Sequence, residues 1–314
     1  MTPGPAVVTV TLNPAIDQTL AIPGFAAGRV NRVVTSRSDA GGKGVNVACF
    51  LADLGIAVAV TGFLGMENQR PFETLFEEKG IVDRFVSLPG PTRIGIKIVD
   101  EETGETTDIN FPGLTPGPEE ITRLFERIAD LAGPGRWFVL AGSVPAGLAD
   151  DIYAGLIDVI HAGGGRVVLD TSGRPLRAAL ARQPEVMKPN LEELGELVGQ
   201  TLDSPGAARD AGRSLLAQGV ERVVVSMGAT GAVFVDREQA LLARPPRVTV
   251  ASTVGAGDAM VAGIVYALLQ HLPLAELART ATASGANAVT RIGSGMEDRA
   301  EWEKLIGEVK IEAL

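Results

Sequence analysis

The feature that most constrains this chain is a rhythm. Short runs rich in Val, Ile and Leu alternate with longer stretches whose apolar residues recur at helical spacing. Strands are expected at residues 7–12, 56–61, 137–141, 167–170, 186–188 and 223–226, with an extended segment at 85–88. Helices are expected at 45–54, 70–79, 119–131, 151–161, 191–198 and 205–218. Residues 231–235 and 240–243 read as a hairpin, and long helices fill most of the remaining chain. Strands alternating with helices in this way specify βαβ units. The expected fold is therefore α/β: a mainly parallel sheet with helices on both faces, edged by an antiparallel hairpin. Aromatic residues make up only 4% of the chain, so the core must be built from aliphatic side chains. That suits helices packed on a parallel sheet.

Two stretches break the rhythm. Residues 92–99 (T-R-I-G-I-K-I-V) and 106–111 (T-T-D-I-N-F) alternate with period two around a turn at 100–105, which is hairpin patterning. Ile94, Ile96 and Ile98 fall on one face, with Arg93, Gly95 and Lys97 on the other. On the returning strand Ile109 and Phe111 oppose Asp108 and Asn110. Residues 21–36 are expected to add two further strands, with Val30, Val33 and Val34 as apolar members. The chain thus reads as one domain over 1–314 with an inserted sheet from about 18–37 and 91–112. The polar face of that sheet suits a lid over an anionic ligand. Its apolar face either packs back on its own domain or is covered by the matching sheet of a second copy.

The chain has 314 residues, enough for a substantial core, and no repeats or low-complexity linkers. Asp and Glu number 38 against 28 Lys and Arg, a net charge of −10. An acidic surface repels nucleic acid and anionic membrane, so neither is an expected partner. A single cysteine, Cys49, excludes an internal disulfide and a multi-cysteine metal site. His161 and His271 have no nucleophile motif nearby, which removes a His-based triad. Residues 1–5 lack a secretory pattern, and the longest apolar run, 259–269, is too short to span a bilayer. A cytoplasmic location is expected.

Four segments carry chemistry. Ser252-Thr-Val-Gly-Ala-Gly-Asp258 leads into a strongly apolar helix. A glycine-rich turn entering a helix exposes backbone N–H groups at the positive end of the helix dipole. Ala256, Gly257 and Asp258 there suit an anion hole, and Asp258 a proton acceptor; the bland alternative makes Asp258 an N-cap. Asp39-Ala-Gly-Gly-Lys-Gly-Val-Asn46 opens another helix, its glycines allowing close approach beside Lys43. It is not a Walker A loop, and an ordinary turn has the same composition. Lys188-Pro-Asn-Leu-Glu-Glu193 places Asn190 and Glu193 on one face of a first helical turn. Their oxygens suit either a hydrated magnesium ion or a helix cap. Ser226-Met-Gly-Ala-Thr-Gly231 comes after a strand. In parallel α/β sheets ligands gather beyond the carboxyl ends of strands, so Ser226–Gly231, Lys188–Asn190, Asp170 and the 142–145 segment should share one rim. No strand–GxGxxG–helix arrangement is present, which disfavours a nicotinamide-dependent oxidoreductase.

These segments together resemble the ribokinase-like, or phosphofructokinase-B, carbohydrate kinase family over essentially the whole chain. The two family signatures match residues 41–46 and 252–258 with their helices, and Asn190 with Glu193 resembles the family's Asn-x-x-Glu motif. Thr11-Leu-Asn-Pro-Ala-Ile-Asp17, Gly62-Phe-Leu-Gly65, Thr92-Arg93, Asn110-Phe111 and Ser252-Thr-Val-Gly255 are most similar to its 1-phosphofructokinase and tagatose-6-phosphate kinase branch. The resemblance implies transfer of the γ-phosphoryl of ATP to the C6 hydroxyl of fructose 1-phosphate. Tagatose 6-phosphate and fructose 6-phosphate are rival acceptors, and a non-catalytic sugar-phosphate sensor is a rival of another class.

The resemblance also implies roles. Asp258 would be the base, with Gly255, Ala256 and Gly257 around the anion hole. Asp17, Gly42, Lys43, Asn46 and Ser143 would hold the sugar, and Arg93, with Lys43, its phosphate. Lys188, Asn190, Ser226, Gly228 and Gly231 would contact the nucleotide, with Asn287 near its base. Magnesium would be held at Asn190 and, through water, at Glu193. The inserted sheet would serve as lid and homodimer clasp. Arg29 stands where some relatives carry a cation reaching the neighbouring subunit's substrate, and Asn31 where some carry a second.

Overall fold

The computed structural model describes residues 4–100, 102, 103 and 105–314. Met1, Thr2 and Pro3 of the segment read for a secretory pattern, and Glu101 and Gly104 of the expected turn, lie outside the described residues.

At the centre lies Val7–Thr11, five buried residues paired in parallel with Val58–Gly65 on one side and Trp137–Ala141 on the other. Strands covered on both faces need apolar residues at every position, which is why this run does not alternate. From Trp137–Ala141 the sheet continues through Arg166–Asp170, Val186–Met187 and Arg222–Ser226, all parallel. The expected hairpin comes next as Ala232–Val235 and Ala240–Arg244, antiparallel, and then Lys310–Ala313 at the edge. Val82–Asp83 and Val86–Leu88 both pair with Val58–Gly65 at the other edge. The fold is the α/β arrangement expected, a mainly parallel sheet edged by an antiparallel hairpin.

Successive residues of each strand feed opposite cores. Val7, Val60, Val139 and Val168 join helices Lys43–Asp53, Ala256–Leu269 and Leu274–Ala288. Val8, Val10, Leu140 and Leu169 join Pro118–Leu131 and Ile152–Ala162 on the far face. Helix Ala256–Leu269 is buried nearly all round because it lies between the sheet and Leu274–Ala288. A Cβ at Gly263 would sit 2.5 Å from Ser284 Oγ, so the two helices approach as closely as a glycine permits.

The elements that escaped the sequence reading include helix Gly173–Leu180, with Gly and Pro in its first turn, and the short strands Val82–Asp83 and Lys310–Ala313. The Gly and Pro of the first read as a loop, and neither strand carries an apolar run. The second sheet differs in its boundaries. Its order is Thr35–Gly41, Ala15–Ala21, Ile94–Val99, Thr106–Asn110, with only the middle pair parallel. Val30, Val33 and Val34 are exposed in the loop between its first two strands rather than members of them. The hairpin register pairs Ile96 with Ile109 and Lys97 with Asp108, so its two faces sort as the alternation indicated. This sheet joins the main one at carboxyl ends. Val7–Thr11 leads into Ala15–Ala21, and Thr92 Oγ accepts the Gly65 N–H at 2.9 Å, bringing together two segments 27 residues apart.

Candidate active site

Helix Ala256–Leu269 starts from Gly255, whose φ of 81° only glycine adopts without strain. Gly255 is the N-cap, so Asp258 stands in the first turn and does not cap the helix. Its side chain is buried and points instead at Asn46, whose Nδ2 donates to Asp258 Oδ2 at 2.8 Å. Asn46 arrives from the first turn of Lys43–Asp53. Gly42 caps that helix at a φ of 124°, and a Cβ there would lie 2.8 Å from the Thr11 side chain. The two glycine-rich turns therefore meet, one delivering a carboxylate and the other an amide.

Asp170, at the carboxyl end of Arg166–Asp170, ties the remaining cations to this pair. Its Oδ1 lies 3.3 Å from Lys43 Nζ and 3.2 Å from Lys188 Nζ, while Oδ2 is buried without a partner. Lys188 is itself buried, and a Cβ at Gly257 would come 3.7 Å from its ammonium. Burial, then the charge of Asp170, pushes the Asp258 carboxyl up to about 6, against the opposing pull of Asn46 and the two lysines. Burial works against the charge on Lys43, but Asp170, Asp258 and Glu193 outweigh it and hold the ammonium above its ordinary range. The sequence reading placed Asp170 on the rim without a role, since its two partners are distant in the chain.

The other expected residues are distributed around this centre. Asn190 and Glu193 form a reciprocal cap: Glu193 N–H donates to Asn190 Oδ1 at 2.8 Å, and Asn190 N–H to Glu193 Oε2 at 2.9 Å. Both expected uses of this pair are thus compatible, because one Glu193 oxygen stays outside the cap and its charge reaches Lys43. Asn190 bridges to Ser226 on the neighbouring strand, and the turn holding Gly228 and Gly231 comes directly after. Asn287 is buried with its Oδ1 unpartnered. Ser143 Oγ accepts from Asn13 Nδ2 at 3.1 Å, and Asn13 was not singled out from the sequence. Arg93 is half-buried and donates to Asn13 O at 3.3 Å and Asn110 Oδ1 at 3.4 Å, with its Nε buried and unpartnered. Burial lowers its pKa, and nearby Asp17 partly restores it. Arg29 is exposed, and Asn31 is bonded within its own loop to Ala26 and Arg29.

A cleft of about 640 Å³ runs between the small sheet and the turn at 250–255, bounded also by 292–295. Asp17, Gly41, Asn46, Lys97 and Gly255 line it. A buried carboxylate with raised proton affinity in a helix's first turn, near two lysines and flanked by the cleft-lining Asn46 and Gly255, can take a proton from a hydroxyl while anionic charge is held nearby. Among the described residues no cluster of three or more His, Cys, Asp or Glu could hold a metal alone. Magnesium fits this donor set only when phosphates and waters complete its shell.

That is the equipment of a kinase acting on a small alcohol. The chain belongs to the pfkB family of carbohydrate kinases, whose model matches residues 7–299. It is 50% identical over 288 residues to the 1-phosphofructokinase of Rhodobacter capsulatus, covering 91% of each chain. It is 38% identical over 306 residues to that of Escherichia coli K12, covering 98% of each. The structure of Escherichia coli phosphofructokinase-2 in complex with fructose-6-phosphate superposes with a TM-score of 0.90 at 30% identity, over 97% of this chain and 99% of that one. Ribokinase from Thermotoga maritima shares the fold, with a TM-score of 0.78 at 20% identity. The protein is a sugar-phosphate kinase.

Proposed function

We propose that the chain transfers the γ-phosphoryl group of ATP to the C6 hydroxyl of fructose 1-phosphate, yielding fructose 1,6-bisphosphate. The observation that carries the chemistry is the buried Asp258, held by Asn46 in the first turn of a helix that opens with Gly255. The acceptor is inferred from the 1-phosphofructokinase relatives at 38–50% identity.

Asp258 Oδ takes the hydroxyl proton as the oxygen attacks phosphorus in line, and no enzyme side chain is phosphorylated. The N–H groups at Gly255, Ala256 and Gly257 receive the charge on the moving phosphoryl group. Asp17, Gly42, Asn46 and Ser143 hold the sugar, and Lys43 with Arg93 its existing phosphate. The planar guanidinium of Arg93 suits a bidentate phosphate contact. Lys188, Asn190, Ser226, Gly228, Gly231 and Asn287 hold the nucleotide. Asn190 and, through water, Glu193 would hold a magnesium ion, which would supply neutralisation of phosphate charge. The small sheet closes as a lid to keep out water, which competes for the phosphoryl group.

The outer face of that sheet leaves Ile94, Ile109 and Phe111 exposed, and we assign it to a homodimer contact. No helix among the described residues is long and apolar enough to cross a membrane. A cytoplasmic location suits the proposed substrates.

A coupled assay of ADP release over fructose 1-phosphate, fructose 6-phosphate, tagatose 6-phosphate and fructose tests the reading. Fructose 1-phosphate is expected to give the highest kcat/KM, by roughly 10-fold or more over the others. A higher value for another acceptor overturns the acceptor assignment, and no ADP release with any of them favours a sensor.

A further inference from the structure

The cleft that adjoins the proposed sugar site, sharing Asp17 and Asn46 with it, is itself acidic. Asp17, Asp39, Asp100 and Asp108 line it, and among the described residues Lys97 is its one lining cation. Two of these carboxylates are already engaged. Asp39 pairs with Arg37 at 2.8 Å, and Asp100 accepts from the N–H groups of Gly24, Phe25 and Glu102. Asp17 depends on Lys97, whose Nζ lies 3.0 Å from its Oδ1, while Asp108 faces Lys97 directly across the hairpin. The Asp17 and Lys97 side chains are only 27% and 18% exposed, so their attraction is screened less than that of a surface pair.

The geometry around Asp17 is equally restrictive. A Cβ on Gly41 would lie 2.7 Å from Asp17 Oδ2, and one on Gly95 would lie 2.8 Å from Oδ1. The carboxylate occupies the room left by two absent side chains, one on each neighbouring strand. Lys97 rises from the same strand face as Gly95, two residues on, and closes the slot. Arg93, the cation that sequence alone favours for this face, is turned toward Asn13 and Asn110.

We propose that Lys97 is a positioning and specificity residue. It fixes the Asp17 carboxylate in the orientation that receives sugar hydroxyls, and it cancels the charge that would otherwise repel an acceptor already carrying a phosphate. The inference rests on Asp17 as the sugar-holding carboxylate of the proposed function. Lys97 acts through Asp17 and not as a phosphate ligand.

A double-mutant cycle tests it, using the full-length enzyme and acceptor KM at saturating ATP. K97M is expected to raise the KM for fructose 1-phosphate by roughly 10-fold or more, with kcat changed far less and the KM for ATP unmoved. K97R should restore the acceptor KM to within about 3-fold of wild type, which a merely structural role would not require. K97Q repeats the measurement should K97M fold poorly. In a D17N background, K97M should add less than about 2-fold, because the group it serves is gone. An equal loss in both backgrounds overturns the proposal, as does an acceptor KM that K97M and K97Q leave unchanged. If wild type phosphorylates a different sugar phosphate instead, the acceptor assignment fails while the same cycle, run with that sugar phosphate, still decides the role of Lys97.

Discussion

In the proposed role Asp258 acts as a base only when ionised, and its surroundings raise the pH at which that happens. With the carboxyl pushed up to about 6 by burial and Asp170, kcat/KM should fall below about pH 6 with a single ionisation. Removing the carboxylate in Asp258→Asn should lower kcat by about 10²–10⁴ at pH 8 while ATP binding persists. Asp170→Asn removes the largest charge opposing ionisation of Asp258, so the acid limb should move to lower pH. A limb that stays in place would show that burial alone sets it. The same raised affinity has a stability consequence. A carboxyl whose folded pKa exceeds its unfolded value of 3.8 contributes stability at low pH and loses it as pH rises through about 6. Asp258→Asn should therefore raise the unfolding free energy at pH 8, by no more than roughly 3 kcal/mol at about 1.4 kcal/mol per tenfold in proton affinity, with a matching rise in Tm, and have little effect below about pH 4. Asp258 was visible in the sequence because the glycines beside it mark a turn into a helix. Asp170 was visible only as a rim residue, because its role comes from Lys43, 127 residues away, and from Lys188.

The elements matter through how closely they seat. Helix Lys43–Asp53 rests on the central strand at Gly44, where a Cβ would lie 2.3 Å from Thr11 Oγ1 and 3.0 Å from Val10 O. Gly44→Ala should lift the first turn, which carries both Lys43 and Asn46. The expected result is a loss of roughly 1–3 kcal/mol in stability, read by thermal or denaturant unfolding, together with a fall in kcat. Unchanged activity would mean that the turn tolerates displacement. Pro118–Leu131 was legible from its residue spacing, and Ala256–Leu269 from an apolar run entered through a glycine-rich turn. Gly173–Leu180 was not legible, since the Gly and Pro in its first turn read as a loop. The 188–193 segment was legible only as a choice: its residues make a cap that engages one Glu193 oxygen and leaves the other outside it.

For the whole molecule, the open question is what covers the outer face of the small sheet. Ile94, Ile109 and Phe111 remain between about 39% and 50% exposed there. Under the proposed assembly, sedimentation should give the mass of a dimer, and Phe111→Glu should shift it to the monomer. A monomeric wild type would remove the clasp reading. It would leave the phosphoryl-transfer centre intact, because Asp258, Asn46, Asp170, Lys43 and Lys188 all belong to one chain. The solved neighbours include a tetrameric inhibited form of Escherichia coli phosphofructokinase-2, so larger assemblies occur in a relative.

Sequence alone determined the layered α/β fold, the two glycine-rich turns and the two faces of the inserted hairpin. Each of these arises from local periodicity or from a backbone conformation that glycine permits. Only the tertiary structure decided which charges meet: Lys43 and Lys188 on Asp170, Asn46 on Asp258, and Lys97 on Asp17 in a slot between two glycines. Electrostatic partners are chosen by strand order and burial, and residue spacing carries no record of either.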